Sequence, residues 1–349
     1  MKAGLFKIAY SIILIFFISH KLYSNAAQPG IWNAGGTVFT MLHPEDSLSF
    51  KKVQMQQEQI YIQLYKGFAV VKGVYWFRNT TKDRLQFKMG YPVNGIYAGG
   101  ETNLNQVSID SLNAFKIKAK GNWLPLLKQS YPELNNNDKN TMPYSDNWKV
   151  WEMTFQPNEI QIVEVYFIVN TNNAQIRKGY NVDNKNAFIY LLESGSVWQS
   201  PIEKATFYVQ LMDGLLPTDI NEMSSGFHFK FSKKHKLFVG EKQHFSPTPK
   251  DNLVINYYTQ EAKFSFHNTL SNTNALYLSI DSLGTLPKNG LEYKAIKLGN
   301  PYKVKPTVDG FLPMLLTYFV MYLPGIIIAF LIILFIQYML KRRKLKINS

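Results

Sequence analysis

From residue 50 to residue 300 the chain alternates apolar and polar side chains with a period of two, the pattern of strands that bury one face. Ile60, Ile62 and Leu64 alternate with Tyr61, Gln63 and Tyr65, Leu85, Phe87 and Met89 with Gln86 and Lys88, and Phe115, Ile117 and Ala119 with Lys116, Lys118 and Lys120. The alternation returns in Ala205, Phe207, Val209 and Leu211, in Phe227, Phe229 and Phe231, and in Leu276, Leu278 and Ile280. Residues 68–77 and 160–169 are apolar on both faces and are expected to be central strands covered on two sides. Few segments hold a helical period. The expected fold is all-β, an antiparallel sandwich in preference to a barrel, built as one or two sandwiches.

Turn chemistry at 79–84 and 156–159 predicts two local hairpins. The clearest break is 131–144, where Pro132 and Pro143 flank a run of asparagines. It divides the chain into a first β domain (27–130), an Asn/Pro-rich linker (131–147) and a second β domain (148–300). One continuous sandwich with a long insertion is the other arrangement.

The two ends depart from this pattern. Residues 311–340 hold no Asp, Glu, Lys or Arg and are closed by Lys341, Arg342, Arg343 and Lys344. A single transmembrane helix is expected there, its basic end stopping in the cytoplasm because charge is costly to bury in hydrocarbon. About 20 helical residues cross a bilayer, and Pro324-Gly325 divides this longer run. Proline suits the first turn of a helix, so the span is placed at 323–340, after an interfacial juxtamembrane segment (301–322) and before a basic tail (341–349). A single tilted helix is the alternative. At the other end Lys2 and Lys7 precede the apolar core 8–18, and Ser24 and Ala26 supply small residues for cleavage, so 1–26 is expected to be a secretory signal peptide.

This partition changes the meaning of the +14 formal charge. Of the 38 lysines and arginines three lie in the signal and five in the tail, while all 24 acids lie between, leaving +6 on the ectodomain. Much of the excess is a topology signal, and nucleic acid is set aside as a partner. The chain has no cysteine, which excludes disulfides, thiolate metal sites and a lipid-modified N-terminal cysteine. An ectodomain of about 280 residues can be stable on its core alone. Abundant Asn, Lys, Ile and Tyr would suit a bacterial cell-envelope protein.

Gly35-Gly36-Thr37-Val38-Phe39 is followed by 53–62 with Glu58 inside it, by Val74-Tyr75-Trp76-Phe77-Arg78-Asn79 and by Tyr91-Pro92-Val93. In that order the chain resembles a family of exported bacterial proteins carrying a domain of unknown function. Its members begin with a Gly-Gly-apolar element, continue through a strand ending in aromatic-x-Asn and reach a Phe-Pro-like turn. Residues 148–169, then 188–195 and Trp198, are similar to that family's later strands. The first block also resembles, more distantly, vault and inter-alpha-trypsin-type domains. The resemblance implies an exported β-rich interaction domain and brings no catalytic residues.

Candidate chemistry is sparse. No H-E-x-x-H, G-x-S-x-G or Gly-Lys-Ser/Thr phosphate motif is present. His228 and His267, expected on polar faces of neighbouring strands, are the zinc candidates, with solvent-facing histidines the simpler reading. His235 and His244 fall in a basic stretch expected to be a solvated hairpin. Asn136, Asp138 and Asn140, like Asn181, Asp183 and Asn184, have the opening spacing of a calcium loop but lack its Gly and Glu. Glu152 and Glu164, expected on adjacent strands, are the candidate carboxylate pair of a glycosidase. Trp123, Trp148, Trp151 and Trp198 are candidates for stacking on sugars. Asn79-Thr80-Thr81 is formally a glycosylation sequon. The segment after Tyr91 and Pro92, with Tyr97, Gly99, Gly100 and Glu101, combines flexible, aromatic and polar residues and is the candidate binding loop. No catalytic residue, metal or cofactor is assigned. The expected function is a membrane-anchored extracytoplasmic β module for protein binding or envelope assembly, in contact with lipid through its C-terminal helix. A glycan-binding surface domain is the first alternative and an envelope hydrolase the second.

Overall fold

The computed structural model describes residues 30–32, 35–38, 40–41, 51–92, 95–97, 107–109, 113–127, 148–178, 181–192, 195, 198–248, 251–258, 262–287, 291–301 and 308–347. The expected signal peptide, the 131–147 linker with its Asn136, Asp138 and Asn140, and Gly99, Gly100 and Glu101 lie outside these residues.

Three short strands, β1 (Gly30–Trp32), β2 (Gly35–Val38) and β3 (Thr40–Met41), precede the long pair β4 (Val53–Leu64) and β5 (Phe68–Asn79). Next come β6 (Leu85–Pro92), β7 (Gly95–Tyr97), β8 (Val107–Ile109), β9 (Asn113–Ala119) and β10 (Asn122–Trp123). Beyond residue 147 follow β11 (Trp148–Phe155), β12 (Ile160–Asn170), β13 (Ala174–Lys178), β14 (Asn181–Leu191) and β15 (Ile202–Leu211). The last are β16 (Ile220–Met223), β17 (Lys230–Ser232), β18 (Leu237–Phe245), β19 (Leu253–Tyr257) and β20 (Lys294–Ala295).

The main sheet has the order β10-β9-β12-β5-β4-β15-β18-β17-β20. Against its inner face lie β1-β13-β14-β19-β16, with β2 beside β14, and the three-stranded β11-β6-β3. One cluster joins them: Ile60, Ile62, Phe77, Val163, Val165 and Phe207 pack with Phe188, Ile255, Phe87, Trp151 and Phe155. Strands from either side of residues 131–147 are neighbours in one sheet, since β9 and β5 flank β12 and β4 pairs with β15. That stretch therefore connects strands of one sandwich. Two pairings, β4 with β15 and β2 with β14, are parallel, so the sheets are mixed and not wholly antiparallel.

Both expected hairpins are corners instead. β5 pairs with β12 in the main sheet, while their continuations β6 and β11 pair with each other in the opposing one. A two-stranded ribbon thus passes from sheet to sheet. Asn79, fully buried, holds the corner. Its Nδ2 donates to the carbonyls of Asp83 (2.7 Å) and Gln156 (2.9 Å), and its Oδ1 accepts from the Thr81 amide (3.0 Å) and hydroxyl (2.9 Å). Engaged at both ends, this side chain is a structural tie and not an exposed sequon.

Two other expected strands differ. Residues 225–227 form a 3-10 turn, so of the three phenylalanines only Phe231 lies in a strand, β17. Residues 276–280 belong to a helix, because the buried positions Tyr277, Ile280 and Leu283 recur at helical and not strand spacing. The helices are α1 (Phe266–Ser271), capped by the Ser265 side chain accepting from the Asn268 amide, and α2 (Thr273–Thr285). Helix α2 covers part of the outer face of the main sheet, where Tyr277, Ile280 and Leu283 cluster with Tyr61, Val70, Tyr166 and Ile168. That cover explains why β4 from Ile60 onward is buried on both faces.

The C-terminal unit, described by itself, is one unbroken helix, α3 (Val308–Ile347). Within it 315–343 is, among the described residues, the one stretch long and apolar enough to cross a membrane, and none of it is buried against protein. The helix begins well before Pro324, which therefore lies in its interior and not in its first turn. Gly325, Lys341, Arg342, Arg343 and Lys344 are parts of the same helix. Membrane helices in general tolerate an interior proline when nearby groups or a local change of helical turn re-satisfy the freed carbonyl. Tyr318 and Tyr322 stack at 6.2 Å between centroids, and Arg342 lies 5.4 Å from the Tyr338 ring centre.

Substituting Asn79→Ala removes all four of these hydrogen bonds from a fully buried position and takes from the Thr81 amide its Asn79 acceptor. Stability should fall by about 2–3 kcal/mol, read as a lower urea midpoint with an unchanged slope.

Candidate functional site

The main sheet has an outer face that α2 covers at one end only. At the covered end a charge network fastens the helix. Lys72 on β5 lies 2.9 Å from Glu164 on β12 and 2.7 Å from Asp281 on α2. The Tyr166 hydroxyl lies within hydrogen-bond distance of the same two carboxylates, at 2.9 and 2.8 Å. Burial pushes the Glu164 carboxyl up, but the hydrogen bonds and charges of Lys72, Tyr166 and Lys118 together outweigh it and hold the group below the usual carboxylate range. Burial, with the acceptors Asp281 and Glu164, drives the Tyr166 phenol well above its ordinary value.

Beyond the helix no described element covers the outer face at Ile160 and Ile162. Cross-strand register places Ile162 beside Trp76, and Trp76 beside Gln57, in one row. In the next row Ile160 stands beside Arg78. Ile160 is 53% exposed and Ile162 46% exposed, although the continuous apolar run predicted cover on both sides. Cover is present only along the second half of β12, where α2 lies.

The edge of this patch is built from a hairpin. Lys120 and Gly121, both with positive φ (51° and 80°), form the two-residue turn between β9 and β10. Such a primed turn matches strand twist and needs a residue free of Cβ strain. It sets Trp123 opposite Lys118, and Trp123 is 56% exposed. Lys116 and Lys118 lie 5.8 and 6.0 Å from its ring centre, and its ring packs on Tyr166 at 5.6 Å. A shallow depression of about 320 Å³ lies among Lys120, Gly121, Glu159, Ile160, Ile162 and Glu164. Its charges are matched, with Lys120 2.8 Å from Glu159 and Lys118 3.7 Å from Glu164. The Glu159 carboxyl is also held low: burial raises it, while hydrogen bonds from Lys120, the Gln156 amide and Gln161 outweigh that effect. Both carboxylates are thus held by lysines, Glu159 by Lys120 and Glu164 by Lys72 and Lys118, around an apolar surface.

The expected site residues are distributed as follows. Glu152 lies on β11, facing the Gln86 amide across the ribbon, while Glu164 lies in the other sheet; they belong to different strand pairs and form no carboxylate pair. His228 follows a 3-10 turn and His267 lies on α1, both exposed and neither on a strand. Among the described residues no group of three His, Cys, Asp or Glu could hold a metal. His235 and His244 belong to the β17–β18 hairpin, as expected. Asn181, Asp183 and Asn184 sit within β14, opposite Lys178, Ile176 and Gln175 of β13, in a paired strand and not in a loop of their own. Trp151 and Trp198 are fully buried, Trp198 against Phe77 at 4.7 Å, whereas Trp123 is exposed; Trp148 lies on β11. In the candidate loop, Tyr91 and Pro92 pair with Lys149 and Trp148, and Tyr97 ends the small β7–β8 pair.

No family model matches the chain, and no curated protein matches it. Among solved structures, a protein of Legionella pneumophila described as a "putative nutrient binding protein" aligns with a TM-score of 0.44 and 14% identity, over 66% of this chain and 72% of its own. A likeness that slight carries no argument about this chain.

Substituting Lys72→Met should weaken the fold by about 1–2 kcal/mol at neutral pH, allowing for the partial exposure of the pair. The loss should shrink as pH falls below about 4, because a carboxylate with a lowered folded pKa contributes stability above its unfolded value and loses it as acid titrates the fold. Urea melts at several pH values would measure both.

Proposed function

We propose that the protein is a membrane-anchored binding module, held at the bilayer by α3 and contacting an envelope protein partner through the bare half of its main sheet. The carrying observation is the exposed pair Ile160 and Ile162 beside Trp76 on a sheet whose other half is sealed by a helix. Exposed aliphatics grouped within a ring of paired charges are the composition of a contact surface. In this reading the signal at 1–26 exports the sandwich and the basic tail keeps the C-terminus in the cytoplasm, by the positive-inside rule. Anchoring confines module and partner to one surface, so weak contacts suffice. The resemblance to an exported family of β-rich domains agrees with it.

A photo-crosslinking residue placed at position 162 should give one discrete adduct in intact cells, and Ile160→Asp should remove that adduct while leaving the urea midpoint within about 0.5 kcal/mol, as for an exposed site. An adduct unchanged by Ile160→Asp would refute the reading.

Trp123 favours a second reading, a glycan ligand, because an exposed indole beside lysines can stack on a sugar ring. Under that reading Trp123→Ala should abolish retention on immobilised envelope polysaccharide, with Ile160→Asp having little effect.

A further inference from the structure

Glu58 is the one charged residue type buried in the sandwich core among the described residues, 1% exposed on the inner face of β4. A bulge puts it there. The β4–β5 register slips between Met55 and Gln57, so the inward phase passes from Val53 and Met55 to Glu58, Ile60, Ile62 and Leu64. From β14 in the opposing sheet the Tyr190 hydroxyl approaches Glu58 Oε2 at 3.3 Å, and the Tyr75 hydroxyl meets the Tyr190 hydroxyl at 2.9 Å. Glu58 Oε1 has no hydrogen-bond partner. Gly73 completes the arrangement, because a Cβ there would run into the Tyr75 phenol.

Around the carboxyl stand Tyr75 from β5, Tyr190 from β14 and Ala205 from β15, with Phe207 against the Tyr190 ring. The titratable groups among these are the two phenols, and no lysine, arginine or histidine is buried in the core among the described residues. An ionised Glu58 would have no cation among the described residues to balance it, whereas a protonated one fits a chain of neutral hydroxyls.

We propose that Glu58, Tyr190 and Tyr75 form a proton-dependent clasp between the two sheets, closed while the carboxyl keeps its proton and loosened when alkaline surroundings remove it. Only a proton leaves, and the solvent takes it. Burial raises the Glu58 carboxyl to about 8, against the opposing effect of the Tyr190 hydrogen bond. The folded form therefore keeps a proton that the unfolded chain has lost. The clasp's contribution is full below about pH 4.5 and declines as pH rises, the unfolding constant growing about tenfold per pH unit until about pH 8.

The test uses the full chain in detergent micelles, with the buried Trp151 and Trp198 as fluorescent reporters of urea unfolding from pH 5 to pH 9. The Glu58→Gln variant should remove about tenfold per pH unit from the pH dependence between pH 5 and pH 8 while preserving the shape of the side chain. Tyr190→Phe, which deletes the hydrogen bond to the carboxylate, should move the end of that dependence to higher pH. Independently, infrared difference spectra of the wild-type protein against Glu58→Gln should contain a protonated-carboxyl band at pH 6.5. Should that variant fail to fold, a carboxyl-13C glutamate label read by NMR in the wild-type chain would serve. An ionised Glu58 at pH 6.5, or a pH dependence the same in Glu58→Gln as in wild type, would overturn the proposal.

Discussion

Asn79 lies where two strands leave one sheet for the other together, and its four hydrogen bonds replace the ladder that the ribbon must interrupt to turn. The turn residues around it reach solvent, but the Asn79 side chain itself is fully buried, so its polar atoms would be expensive to leave unpaired. Main-chain bonds of the Asn79 amide to Glu159 (2.9 Å) and of the Asn158 amide to Thr81 (3.0 Å) tie the two turns to each other. Everything beyond the corner follows from it. β6 and β11 can lie across the inner face of the main sheet only because the ribbon turns here. Once there, they supply Phe87, Trp151 and Phe155 to the common core.

The same strands explain the position of the contact face. In β12 and β5 the inward residues are committed to the core along their full length, while the outward residues have different fates at the two ends. Under α2 they become a second apolar cluster fastened by Lys72, Glu164 and Asp281. Beyond α2 they remain in solvent. The patch is thus the part of a nominally central strand pair for which no covering element follows in the described chain, and its exposure is a property of topology more than of composition.

This is also why the sequence was legible in some places and opaque in others. Alternation identified β6, β9 and β15 because those strands bury one face, and the run of charge-free residues identified α3 because hydrocarbon excludes charge. Alternation failed at 276–280, where Leu276, Leu278 and Ile280 mimic a strand although Tyr277, Ile280 and Leu283 carry the helical stripe. Turn residues at 79–84 and 156–159 announced changes of direction, but nothing local distinguishes a hairpin from a corner that two distant segments turn together. The partner of each turn lies nearly eighty residues away. Ile160 and Ile162 illustrate the same limit: an apolar outward residue reads as buried unless the element meant to cover it is known to stop short. Trp123, Trp151 and Trp198 were equal candidates in the sequence, and what separates them is the turn at Lys120 and Gly121, which places Trp123 on an edge hairpin while the other two enter the core.

Glu58 needs a similar nonlocal accounting. Its neighbours Ile60, Ile62 and Leu64 share its phase, so the alternation after the bulge places it inward, yet the alternation before the bulge places it outward. Only the register slip decides between them. Its inner-face neighbour across the strand pair, Tyr75, precedes Trp76, whose side chain points to the opposite face. The buried hydroxyl chain and the contact face therefore share one strand at consecutive residues, with the acid on the dry side and the apolar patch on the wet side. The hydrogen-bonded β4–β5 pair carries both along nearly its full length.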